Sequence, residues 1–244
     1  MRGIGKDFME KTKFRYAERS DQALGYPQPS LESGSEDEGK VFDLPEPEKI
    51  QVNSIDIREA IESRTSTRSY RMEAISLEEL SYLLWCTQGV KQVKSSVTFR
   101  TVPSAGARHA LETYVLVNNV EGLEKGLYHF LPIEHKLVQI QAGEHVAEEI
   151  KTACLDQPFV LNSAVTFIWT AVSYRMQWRY GERGYRYLHL DAGHVCQNLY
   201  LSAQSVGCGV CAIAAFLDDS MNTLLRIDGE EEFTIYIATV GKIT

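Results

Sequence analysis

ETYVLVN (residues 112–118), GLYHFL (126–131) and KLVQI (136–140) are three short runs rich in β-branched and aromatic residues. Turn-forming residues separate the last two, so the cluster reads as consecutive strands. On either side the period changes. Residues 76–87 read as a helix: Ser76 can cap the first turn, Glu79 can reach back to complete a capping box, and Ile75 and Leu80 stand where a hydrophobic staple belongs. Leu80, Leu83, Leu84 and Thr87 share one face, and Gly89 is expected to supply a left-handed stop. Residues 56–63 (Ile57, Ala60, Ile61) have the spacing of a shorter helix. Downstream, 145–155 returns to helix, and the apolar, β-rich run 164–172 suits a central strand. The longest helical pattern is 187–206, where Leu188, Ala192, Val195, Leu199 and Ala203 step by three and four. Leu190 and Leu201 widen its apolar surface, so this helix is expected to be buried on several sides, by its own subunit or in a dimer core. A strand at 210–216, a helix at 218–227 and a strand at 233–240 finish the chain. Helices and strands mixed without strict βαβ alternation indicate the α+β class.

Residues 1–50 differ from the rest. Pro27, Pro29, Pro45 and Pro47 lie there, together with the acidic run Glu36, Asp37, Glu38. Proline removes helix options and like charges repel, so the segment reads as an extended N-terminal arm ahead of a domain spanning 51–244. Such an arm is either a disordered tail or a strap across a partner subunit. The chain carries 25 Lys and Arg against 33 Asp and Glu, a net charge of −8 with no basic stretch, which argues against nucleic acid as a partner. Met1 is followed at once by polar residues and the longest apolar run is far short of a bilayer span, so neither a leader nor a membrane is expected. Five cysteines at irregular spacing do not form a secreted disulfide framework, and a reducing cytoplasm is the expectation.

Several segments offer chemistry. Arg64-Thr65-Ser66-Thr67-Arg68 places two guanidiniums and three hydroxyls within five residues, many donors for a phosphate; taken alone, a polar loop between helices is the readier account. Pro103-Ser104-Ala105-Gly106 precedes the strand at 112, and its small residues allow close backbone approach to a flat ligand. An ordinary turn into a short helix, with Ser104 as its cap, explains it as well. A nucleophilic Ser104 lacks both the strained Gly-x-Ser-x-Gly elbow and a supporting triad order. Gly207-Cys208-Gly209-Val210-Cys211-Ala212 matches G-x-G-x-x-A, yet a helix precedes it and a strand follows, the reverse of a dinucleotide site. Cys208 and Cys211 form the C-x-x-C pair; with no second pair of soft ligands, two small buried thiols are the better reading. The histidines are scattered, and no metal is assigned.

Taken together, residues 98–137 (TFRTVPSAGARHALETYVLVNNVEGLEKGLYHFLPIEHKL), 180–209 (YGERGYRYLHLDAGHVCQNLYLSAQSVGCG) and 212–241 resemble the SagB-type dehydrogenases of the nitroreductase superfamily, and the likeness covers most of 55–244. The resemblance implies a nitroreductase-like fold with a central mixed or antiparallel sheet flanked by helices, a domain-swapped type of homodimer, and FMN held between subunits. Carried over residue by residue, it implies that Arg64, Thr65, Ser66 and Arg68 grip the FMN phosphate and ribityl chain. Pro103, Ser104, Ala105 and Gly106 lie along the isoalloxazine from the other subunit, and Ile213, Ala214, Ala215 and Phe216 turn backbone amides towards flavin N5 and O4.

The chain departs from the family pattern at three places. Ala107 and Arg108 follow where many members have Asn. The chain ends at Thr244, leaving Lys242 as the nearby basic candidate for the phosphate. The Lys-Tyr pair of azoline-oxidising relatives is replaced by Arg186-Tyr187, and an arginine stays protonated and does not serve as a base. Arg186 and Tyr187 are the only side chains offered as catalytic. The implied activity is ping-pong hydride transfer from NAD(P)H through FMN to a small acceptor, or oxidation of a peptide heterocycle, and the rival is a flavin-binding module without turnover.

Overall fold

The computed structural model describes residues 3–34 and 39–243; the acidic run at 36–38 lies outside them. In chain order the elements are α1 (Ile4–Lys11), α2 (Asp21–Leu24), β1 (Val41–Asp43), α3 (Ile57–Ser63), α4 (Leu77–Gln88), β2 (Val90–Lys94) and β3 (Val97–Arg100). They continue through β4 (Leu111–Val117), β5 (Gly126–Leu131), β6 (Lys136–Ala142), α5 (His145–Ala153), α6 (Phe159–Asn162), β7 (Val165–Val172) and α7 (Ser173–Tyr180). The chain closes with α8 (Gly184–Gln204), β8 (Cys208–Ile213), α9 (Asp218–Leu225) and β9 (Glu232–Lys242).

Seven strands form one sheet in the order β1-β6-β5-β4-β7-β9-β8, and every neighbouring pair is antiparallel. Helices cover both faces, which makes this the α+β architecture expected. Alternation along β4 divides the core: Leu111, Val115 and Val117 join the cluster that holds α4 and α8, while Tyr114 and Leu116 join the one that holds α5 and α9. β7 is an interior strand between β4 and β9, and all its residues but Val172 are buried. On α8 the predicted stripe faces inward, with Leu188, Val195, Leu199 and Ala203 all at 1% exposure or less.

The capping box on α4 is present, with the Ser76 side chain accepting from the Glu79 amide and the Glu79 carboxylate accepting from the Ser76 amide. Gly89 ends that helix differently from the expectation. Its φ is −57°, so no left-handed stop exists. Glycine is needed for space, because a Cβ there would stand 2.3 Å from the Trp85 side chain and 2.5 Å from its carbonyl oxygen.

Residues before 50 pack against their own chain. β1 is the edge strand beside β6. The Trp178 indole donates to the Tyr26 carbonyl, Arg183 to the Thr12 carbonyl and Arg100 to the Leu31 carbonyl. Among the described residues no helix is long and apolar enough to cross a membrane.

Candidate functional site

The 64–68 segment follows α3 and runs along β8. Ser66 forms a parallel bridge with Val210, and the Thr67 amide donates to the Val210 carbonyl at 2.9 Å. Gly209 permits that approach, since a Cβ there would come within 2.7 Å of the Thr67 side chain. Thr65, Ser66 and Arg68 are exposed and Arg64 is half-buried. Among the described residues no carboxylate pairs with Arg64 or Arg68. The Arg64 guanidinium lies 5.3 Å from the centre of the Tyr200 ring. The Tyr200 hydroxyl is 3.0 Å from Ser66 Oγ and accepts from the Ala212 amide at 2.9 Å. One side chain of α8 therefore joins the arginine-bearing loop to the end of β8, where Ile213 is buried and Ala214 and Ala215 are exposed.

Pro103, Ser104, Ala105 and Gly106 are held at the other end of α8. The Ala105 amide donates to Asp191 Oδ1 at 3.3 Å, and Ser104 Oγ accepts from the His109 amide at 2.9 Å. Gly106, Ala107 and His109 all have positive φ (59°, 52° and 44°). That run stores backbone strain, most at the two residues that carry a Cβ. Gly106 has no space for a side chain either, as a Cβ would sit 2.5 Å from the Tyr180 hydroxyl. Asp191 is 5% exposed, its Oδ2 has no hydrogen-bond partner among the described residues, and burial pushes its carboxyl up from the ordinary range. Asp191 and Tyr200 are nine residues apart, roughly 13 Å of axial rise, so α8 anchors the two loops at separate points.

The remaining candidates have partners. Lys242 Nζ donates to Glu79 and to the Val206 carbonyl. Arg186 donates to Thr12 Oγ1 and the Met9 carbonyl, capping the end of α1, and Tyr187 accepts from Arg183 at 2.8 Å. The arm thus holds Arg186 directly, and Tyr187 is bonded to Arg183, which itself donates to the Thr12 carbonyl. Cys208 and Cys211 are free, buried thiols.

FMN presents a phosphate dianion on a polyhydroxy chain beside a flat ring. Two arginines without carboxylate partners, next to the Thr65 and Ser66 hydroxyls, fit the first part. The short, exposed Ala214-Ala215 stretch and the cramped Gly106 turn fit close approach of a planar group. Sequence reasoning missed Asp191 and Tyr200. Asp191 carried a readable signal, because it interrupts the apolar stripe three residues after Leu188 and four before Val195, where a carboxylate needs a partner. Tyr200 carried none, since a tyrosine beside Leu199 reads as core.

Residues 61–242 match the Nitroreductase family, and the chain belongs to it. A nitroreductase-family protein of Methanocaldococcus jannaschii is 37% identical over 199 residues, 82% of this chain and 94% of that one. The trifolitoxin-processing protein TfxB of Rhizobium leguminosarum bv. trifolii is 30% identical over 53% of this chain, which spans about a third (36%) of that protein. Among solved structures, a nitroreductase-family protein from Desulfovibrio desulfuricans in complex with FMN has the same fold, with a TM-score of 0.54 and 17% identity over 78% of this chain and 87% of that one.

Proposed function

We propose that this member of an oxidoreductase family works as an FMN-dependent enzyme, with NAD(P)H as donor and with the cofactor shared between the subunits of a cytoplasmic homodimer. The observation that carries the reading is the pair Arg64 and Arg68, without carboxylate partners among the described residues and joined through Tyr200 to the end of β8. When bound, FMN would supply the chemistry of ping-pong hydride transfer between NAD(P)H and the substrate. Arg64, Arg68, Thr65 and Ser66 bind the phosphate and ribityl oxygens. The backbone at Ile213, Ala214 and Ala215 orients the ring edge, where amides stabilise charge gained on reduction. Pro103, Ser104, Ala105 and Gly106 line the ring from the partner protomer, held in shape by Asp191. Residues 51–244 form the binding domain, and the arm of residues 1–50 holds Arg186. Lys242 serves the phosphate only by leaving Glu79.

The substrate is a small acceptor such as a nitroaromatic or quinone, which is reduced, or a heterocycle in a peptide, which is oxidised. Likeness to a trifolitoxin-processing protein supports a substrate that is itself a biosynthetic precursor. Arg186 stays protonated and is no base, which speaks against the azoline chemistry of Lys-Tyr relatives. Absorbance spectroscopy of the purified protein tests the proposal. A yellow protein bleached by NADH or NADPH under argon is expected. A protein that takes up no FMN overturns it, and one that stays yellow with both donors is a flavin-binding module without turnover.

A further inference from the structure

The contacts of Tyr200 have a direction. Its oxygen accepts from the Ala212 amide at 2.9 Å, and its own proton is then free to go to Ser66 Oγ, 3.0 Å away. A serine oxygen that accepts from Tyr200 keeps its own O–H to donate outward, and Ser66 is exposed. In the opposite sense, with Ser66 donating to Tyr200, only lone pairs would face outward, which repels an anion. The Arg64 guanidinium over the Tyr200 ring and the bridge between Ser66 and Val210 hold the three groups in place. Hydrogen bonds in series polarise one another, so a terminal anion favours the outward sense along the whole chain.

We propose that Tyr200 is a positioning residue that relays a hydrogen bond from the Ala212 amide through Ser66 to an oxygen of the FMN phosphate, coupling the phosphate loop to the segment that follows β8. The proposal rests on the FMN reading above and names the residue that orients Ser66. No proton is transferred in the relay; each hydroxyl only fixes the direction of the next.

Tyr200→Phe removes the central hydroxyl and keeps the ring that packs in the core. FMN and riboflavin affinities are measured for wild type, Y200F, S66A and the double variant, with R64A as a control on the site itself. Y200F and S66A are each expected to weaken FMN about tenfold, the double variant no further, and riboflavin, which lacks the phosphate, by much less. Equal losses for FMN and riboflavin would mean that Tyr200 only supports the fold, and additive losses in the double variant would mean that Ser66 and Tyr200 act separately; either overturns the relay. Should R64A bind FMN as tightly as wild type, the phosphate is misplaced and the relay falls with it. If retained FMN affinity in Y200F accompanies a loss in R64A, only the relay fails. Where Y200F lowers the melting temperature of the protein without FMN, affinities are measured below both transitions, and the coupling in the double variant still decides.

Discussion

Glu112, His129 and Arg175 meet beneath the arm on the face of the sheet packed by α5 and α9, whereas beside β8 Arg64 is half-buried and Arg68 exposed. In the first region each charge is closed in. Glu112 accepts from Arg175, from His129 at 3.2 Å and from the Ser33 amide at 2.7 Å, and its side chain is 1% exposed. Burial alone would raise the Glu112 carboxyl, but Arg175 and His129 outweigh it and hold the group well below the usual carboxylate range. Arg100 nearby is pushed down to about 10 by burial, with Glu112 opposing. In the second region the cations have no carboxylate among the described residues. Charges enclosed and paired serve the fold, while charges exposed and unpaired are available to a ligand.

The sharpest way to break this contrast is to remove one partner on the enclosed side. Glu112→Ala leaves Arg175 and Arg100 buried without their anion and should cost about 3–5 kcal/mol in chemical denaturation. The folded fraction should still bind FMN with wild-type affinity. A loss under about 1 kcal/mol would show that water reaches the cluster and that the two regions are alike. On the open side the outcome inverts. Arg64→Ala should weaken FMN roughly ten- to a hundredfold, as expected for one charge-assisted hydrogen bond, with stability within about 0.5 kcal/mol of wild type. Calorimetric titration and the same denaturation assay read both numbers.

The two regions also differ in how much of them could be read beforehand. Strands β4 to β7 and helices α4 and α8 were legible because each buries a periodic apolar set. The β2–β3 hairpin was not, since four of the five residues of β2 are exposed and no face is marked. Helix α7 was missed for the opposite reason: it buries Arg175 along with Met176 and Trp178, so polarity and burial do not alternate as a helix period requires. The arginine loop was visible as a cluster of donors, yet its attachment through Tyr200 is a contact between residues 134 apart, which local spacing does not encode. The enclosed cluster joins the arm, β4, β5 and α7, and no single stretch of sequence carries it.

His109 belongs to the enclosed kind and gives a pH test. Burial, with Arg100 and Arg108 adding to it, lowers its imidazole to about 3. The unfolded chain, with a histidine near 6.5, binds a proton that the folded chain refuses between those values. The contribution is therefore fully present above about pH 6.5 and is lost as pH falls towards 3, at most roughly 1.4 kcal/mol per pH unit. His109 has a φ of 44°, and asparagine tolerates that conformation. Denaturation midpoints from pH 7 to 5 should fall more steeply for wild type than for His109→Asn; parallel curves would mean that the ring is hydrated. Stopping at pH 5 keeps the Glu112 carboxylate, whose contribution is lost only below the ordinary carboxylate range, out of the comparison.

The smallest expected effect lies where the sequence offered its most chemical-looking pair. Cys208 and Cys211 are three residues apart on β8, and an odd separation along a strand sends side chains to opposite faces. The core clusters agree, with Cys208 packed on the α4 and α8 side and Cys211 on the α5 and α9 side. A disulfide would have to pass through the sheet. Burial also pushes the Cys208 thiol up to about 12 and raises Cys211, the latter against the pull of Arg68, so neither supplies thiolate near neutral pH. Arg68 argues the other way for Cys211, because it ties that thiol to the proposed phosphate site. For that reason both thiols are replaced together, and the rate of flavin reduction by NAD(P)H is followed in a stopped-flow instrument with the FMN content matched. The double alanine variant should reduce its flavin within about threefold of wild type, with a modest loss of stability from the missing sulfurs. A collapse of the reduction rate in a folded, FMN-loaded variant would move Cys211 from the enclosed group to the open one and make Arg68 the activator of a thiol.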